Sequence, residues 1–75
     1  MSALTEVQVG QRGRIISVGL PPEARQRLIE MGLTKGVEFE VVRYAPLGDP
    51  IDLKLRGYHL SIRKHEAQAI EVEVQ

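Results

Sequence analysis

The stretch Arg25-Gln26-Arg27-Leu28-Ile29-Glu30-Met31-Gly32-Leu33-Thr34-Lys35 constrains the fold more than any other, because it reads as a helix end that carries its own stop. A helix ends readily on a residue with positive φ just past its C-cap, and glycine adopts that conformation without a Cβ penalty. Gly32 supplies it, and Leu33 follows where a Schellman motif sets an apolar side chain back against the C3 residue, here Leu28. Ala24, Leu28 and Met31 recur at i, i+4 and i+7 with Ile29 beside them, while Arg25, Gln26, Arg27 and Glu30 make a solvated face. Upstream, Pro22 fits the first helical turn and Glu23 places a carboxylate at the positive end of the helix dipole. So short a helix is not stable alone. It must lie on an apolar surface, and the rest of the chain reads as strands.

Leu4 and Val7, three apart, predict one helical turn closing into a loop. Gly13 to Val18 is short and β-branched, hence a strand, with Ile16 and Val18 expected on one face and Ile15 on the other. Gly19-Leu20-Pro21-Pro22 breaks it. Val37 to Val41 alternates apolar and acidic residues, a strand with one wet face, but Val42 and Tyr44 then put apolar groups on the side of Glu38 and Glu40. Ala45-Pro46-Leu47-Gly48-Asp49-Pro50 is a loop, with Leu47 a large aliphatic among turn formers. Ile51–Leu55 and Tyr58–Ile62 alternate across Arg56-Gly57, which predicts an antiparallel hairpin. Lys64–Ala69 suits a single turn before a last strand, Ile70–Val74. The expected fold is mainly β: a small barrel of about five antiparallel strands, with one short α-helix between strands 1 and 2.

A chain of 75 residues is one domain, 1–75, with no room for a catalytic domain beside a regulatory one. There is no cysteine, so disulfides, zinc fingers and thiol chemistry are not available, and a reducing compartment suits it. The first residues, Met1 to Glu6, lack the basic region and apolar core of a secretory leader. The apolar runs are far short of the ~20 residues that span a bilayer. Ten basic residues balance ten acidic ones. A protein living on phosphate contacts carries an excess of Lys and Arg, and only Phe39, Tyr44 and Tyr58 could stack on bases, so no nucleic acid partner is expected.

No arrangement of nucleophile, base and carboxylate at recognisable spacing is present, and Gly32-Leu33-Thr34-Lys35-Gly36 lacks the glycine spacing and terminal Lys-Ser/Thr of a phosphate-binding loop. The expectation is a protein that is not an enzyme, with no catalytic residue and no cofactor. His59, His65 and Glu66 are of the right types to ligate a divalent transition metal, but no third ligand stands at fixed spacing, and no metal site is assigned. The apolar residues that alternation does not place inside are Leu20, Met31, Tyr44, Pro46 and Leu47. They form the expected partner-binding set, because a side chain at a strand end or on a proline-stiffened loop docks at little further entropic cost.

Three separated segments, Leu28 to Gly36, Ala45 to Ile51 and Arg56 to Ala67, resemble in order the FeoA family of small bacterial proteins, and the resemblance runs from about Leu4 to Val74. It implies an SH3-like barrel, cytoplasmic, acting as an accessory or regulatory partner on the cytoplasmic side of FeoB, a membrane ferrous-iron transporter that carries a G-protein domain. The same barrel is similar to the C-terminal module of iron- and manganese-responsive repressors. That module, and a small RNA- or ribosome-associated barrel, are the alternatives. The chain departs from the family pattern between Val18 and Glu23, where Gly19-Leu20-Pro21-Pro22 is short and proline-rich.

Overall fold

The computed structural model describes residues 1–75, and its strands form one antiparallel sheet. In chain order the elements are β1 (Ser2–Ala3), a 3-10 turn (Leu4–Glu6), β2 (Arg12–Val18), α1 (Pro22–Glu30), β3 (Glu38–Tyr44), β4 (Ile51–Leu55), β5 (Tyr58–Ile62), α2 (Lys64–Ala67) and β6 (Ile70–Val74). The spatial order is β1-β6-β2-β3-β4-β5. There are thus six strands where about five were expected. The extra one, β1, is too short to show alternation, and it moves the helix from between the first and second strands to between β2 and β3.

Sheet order and connection length together require curvature. β5 and β6 stand four strand spacings apart, about 19 Å if the sheet were flat, yet a seven-residue link containing the turn α2 joins them. The sheet curls until its ends approach, and the 3-10 turn and α2 pack on each other at the closure. Leu4, Val7 and Ala67 are buried there with the inward residues of every long strand, among them Ile15, Phe39, Val41, Leu53, Ile62 and Val72. Gly13 is required at the β2 crossing: a Cβ would lie 2.7 Å from the Glu73 carbonyl oxygen and 2.9 Å from the Phe39 ring.

Two β-bulges supply the bend and correct two expectations. In β2, Ile15 pairs with Val72 and Ser17 with Glu71, so Ile16 is the extra residue, and Val18 opposite Ile70 returns to the face of Ile15. Ile16 and Val18 therefore do not share a face. In β3, Val41 pairs with Leu53, Arg43 with Asp52 and Tyr44 with Ile51, so the extra residue is Val42. The bulge turns Tyr44 inward, and the apparent break in alternation disappears.

The glycine stop of α1 forms as the sequence implies. The Gly32 N–H donates to the Ile29 carbonyl (3.0 Å) and the Leu33 N–H to the Leu28 carbonyl (2.9 Å), the two bonds of a Schellman motif, with Gly32 at φ +103°. Leu28 and Leu33 are both buried. Tyr58 of β5 donates its hydroxyl to the Met31 carbonyl (2.8 Å), satisfying an orphan acceptor at the helix end.

Candidate functional site

Between β3 and β4 the chain makes a stiff, protruding turn. The Gly48 N–H donates to the Ala45 carbonyl (2.7 Å) and the Ala45 N–H to the Pro50 carbonyl (3.0 Å), so Pro46 and Leu47 occupy the tip with both flanks tied. Asp49 Oδ1 accepts from the Lys64 N–H (3.0 Å), which fastens the turn to the start of α2. Leu47 is 95% exposed, the most exposed large apolar side chain of the chain, and Pro46 beside it is exposed too. With the backbone already fixed, docking has only the rotamer freedom of the leucine side chain left to restrict.

The other three residues of the expected partner-binding set sit differently. Tyr44 is half-buried, with its ring against the core and its hydroxyl donating to the Val7 carbonyl. Burial raises its pKa above the ordinary phenol value. It works as a strut beneath the turn. Leu20 and Met31 are half-buried against the same core at opposite ends of α1. The nine residues of α1 lie between them, a helix about 14 Å long. The set thus divides into a β3–β4 group, Tyr44, Pro46 and Leu47, and two separate helix-end residues.

His59 and His65 are both exposed, whereas Glu66 is buried. Its carboxylate is engaged by the Arg27 guanidinium of α1 and accepts from the Arg63 N–H (3.3 Å). No three His, Asp or Glu side chains come together as a group able to hold a metal ion. Arg27, exposed on the solvated face as expected, is also the tie between α1 and α2. Nothing in the spacing of two residues 39 positions apart announces that pair. The proline-rich loop before α1 is anchored where it leaves β2, the Gly19 N–H donating to the Ala69 carbonyl (2.7 Å).

The FeoA domain family model matches residues 3–74. The chain belongs to the FeoA family. Among curated proteins it is similar to the Fe(2+) transport protein A/Fe(2+) transporter FeoB fusion protein of Porphyromonas gingivalis, at 37% identity over 71 residues. That match takes in 95% of this chain but only 8% of the fusion protein, so the chain spans less than a tenth of that relative's length. Among solved structures, the FeoA protein of Chlorobium tepidum is 40% identical with a TM-score of 0.91, over 96% of this chain and 69% of that one. FeoA of Stenotrophomonas maltophilia, solved in complex with zinc, is 26% identical with a TM-score of 0.81, over 97% and 91%. It is described as a prokaryotic SH3 domain protein and a candidate activating factor of bacterial ferrous iron transport. The FeoA barrel here is therefore SH3-like, and the family's association is with iron transport. No helix is long and apolar enough to cross a membrane.

Proposed function

We propose that this FeoA chain is a non-enzymatic accessory domain that docks on the cytoplasmic side of a FeoB-type transporter and biases its conformation in ferrous iron uptake. The observation that carries the reading is the P. gingivalis relative, in which a matching FeoA segment and a FeoB transporter share one polypeptide. Joining two modules in one chain raises the local concentration of each about the other, which favours contacts too weak to persist between free partners. The Pro46-Leu47 tip, stiff and apolar, supports docking through that edge of the barrel, with Tyr44 beneath it and Leu20 and Met31 as further contacts at the ends of α1. A partner of this kind shifts the transporter only by binding one of its states more tightly than the other.

The test is capture of the chain by the immobilised cytoplasmic domain of the transporter, with and without guanine nucleotide. The unaltered chain is retained, and more strongly in one nucleotide state. Leu47→Asp removes retention while leaving the thermal midpoint within about 2 °C, because a side chain this exposed contributes little to folding. Equal retention of Leu47→Asp refutes the assignment of the turn, and no retention of the unaltered chain in either state refutes the docking itself.

A further inference from the structure

The bulge in β2 does more than bend the strand. Its extra residue, Ile16, points away from the core pairs Ile15–Val72 and Val18–Ile70, into a groove of about 270 Å³ between β2 and α1. Leu33, fully buried, lines it, as do Val18 and Ile29, both half-buried. The basic residues of the groove are Arg25 and Lys35, both exposed. Neither makes an ion pair within the chain, whose three pairs are Arg12–Glu40, Arg27–Glu66 and Arg43–Asp52. The groove thus combines four aliphatic residues with Ser17, Thr34 and two cations outside any ion pair; no carboxylate lines it, and Glu71 beside it accepts from the Ser17 hydroxyl (2.9 Å).

The sheet is also incomplete at this place. β2 pairs with β3 only from Arg12 to Arg14, and the last bonds on that side are those of Ile15 with Val37 (2.9 Å) and Gly36 (2.7 Å). From Ile16 to Val18 the strand has β6 on one side and no strand on the other. A short stretch of strand edge therefore opens on an aliphatic, positively charged groove. That combination suits a segment that lies extended, places aliphatic side chains on the walls and offers carboxylates to the cations.

We infer that the β2–α1 groove binds an extended peptide segment of a partner protein in which acidic and aliphatic side chains alternate. The groove shares no residue with the Pro46-Leu47 turn, so the two surfaces can be occupied and mutated independently.

The experiment titrates the isotopically labelled full chain with acetyl-Glu-Val-Glu-Val-Glu-amide and follows backbone amide shifts. Expected are shifts confined to residues 16–18, 25–29 and 33–35. The double variant R25E/K35E, altered only at exposed positions and therefore folded, should bind at least about tenfold more weakly, corresponding to about 1.4 kcal/mol. Leu47→Asp should bind the peptide unchanged. The inference is overturned if no amide shifts at millimolar peptide, if the shifts scatter over the surface, or if the double variant binds as well as the unaltered chain. It is equally overturned if the same peptide with lysine for glutamate gives the same shifts, or if only phosphatidylglycerol vesicles perturb these residues. Loss of peptide binding in Leu47→Asp would remove it from this groove.

Discussion

Tyr44 and Leu47 lie three residues apart and are treated oppositely by the fold. Leu47 stands free at the tip of its turn, whereas Tyr44 packs its half-buried ring on the core and donates its hydroxyl to the Val7 carbonyl. Burial holds the Tyr44 pKa above the ordinary phenol value in the folded chain. The native state therefore keeps this proton at pH values where the unfolded chain has released it. The associated stability is fully present below the unfolded pKa of about 10, and it is lost as pH rises through that value and then through the higher folded one. Tyr44→Phe deletes one hydrogen bond worth about 1 kcal/mol at neutral pH, together with this alkaline dependence. Urea unfolding between pH 7 and pH 11 should show the unaltered chain more stable at the lower end and the gap to Tyr44→Phe closing toward the upper end. A gap that stays constant would mean that Tyr44 does not titrate as a buried phenol.

Among the elements, α1 is held at its C-terminal end by Tyr58 and on its polar face by the Arg27–Glu66 pair. The pair is asymmetric, with Arg27 58% exposed along its side chain and Glu66 only 5%. Removing the arginine strands a buried carboxylate, whereas altering the acid leaves a cation that water can solvate. Arg27→Met should therefore cost about 1–3 kcal/mol, and Glu66→Gln, which keeps an oxygen to accept from the Arg63 N–H, less than half as much. Thermal unfolding of the two variants measures the order, and the reverse order would show that α2 depends on the charge of Glu66 more than on its cap. The helix itself was legible in the sequence because its stop, Gly32 with Leu33, is local chemistry that no distant contact overrides. The faces of β2 and of the far end of β3 were not, because period-two alternation presumes an unbroken ladder; along Ile51–Leu55, where the ladder is unbroken, the alternation holds. A single inserted residue, Ile16 or Val42, reverses the face of everything after it, and nothing at those positions in the sequence marks a bulge. Leu47 could be picked out beforehand as an aliphatic among turn formers. The division of Leu20 and Met31 from it could not, since it depends on which edge of the barrel the helix ends reach.

Taken as a whole, the barrel closes where the 3-10 turn after β1 packs on α2. β1 pairs with β6, Ser2 opposite Val72 and Ala3 opposite Glu71, which sets that turn against the edge of β6. Leu4 and Val7 of the N-terminal turn are buried, and the Val7 carbonyl is the acceptor for Tyr44. The turn, the Tyr44 strut and the protruding Leu47 loop are consequently one mechanical unit, even though 40 residues separate Val7 from Leu47 in the chain. Burying two aliphatic side chains contributes about 3–6 kcal/mol, against a total stability of about 4–11 kcal/mol for a domain of this length. Deleting residues 1–7 should abolish cooperative unfolding or lower its midpoint by more than about 15 °C, and with it retention on the transporter's cytoplasmic domain. Leu47→Asp should lose retention alone. If the shortened chain instead unfolds cooperatively near the original temperature and is still retained, neither barrel closure nor the seating of the proposed docking turn depends on the N-terminal segment.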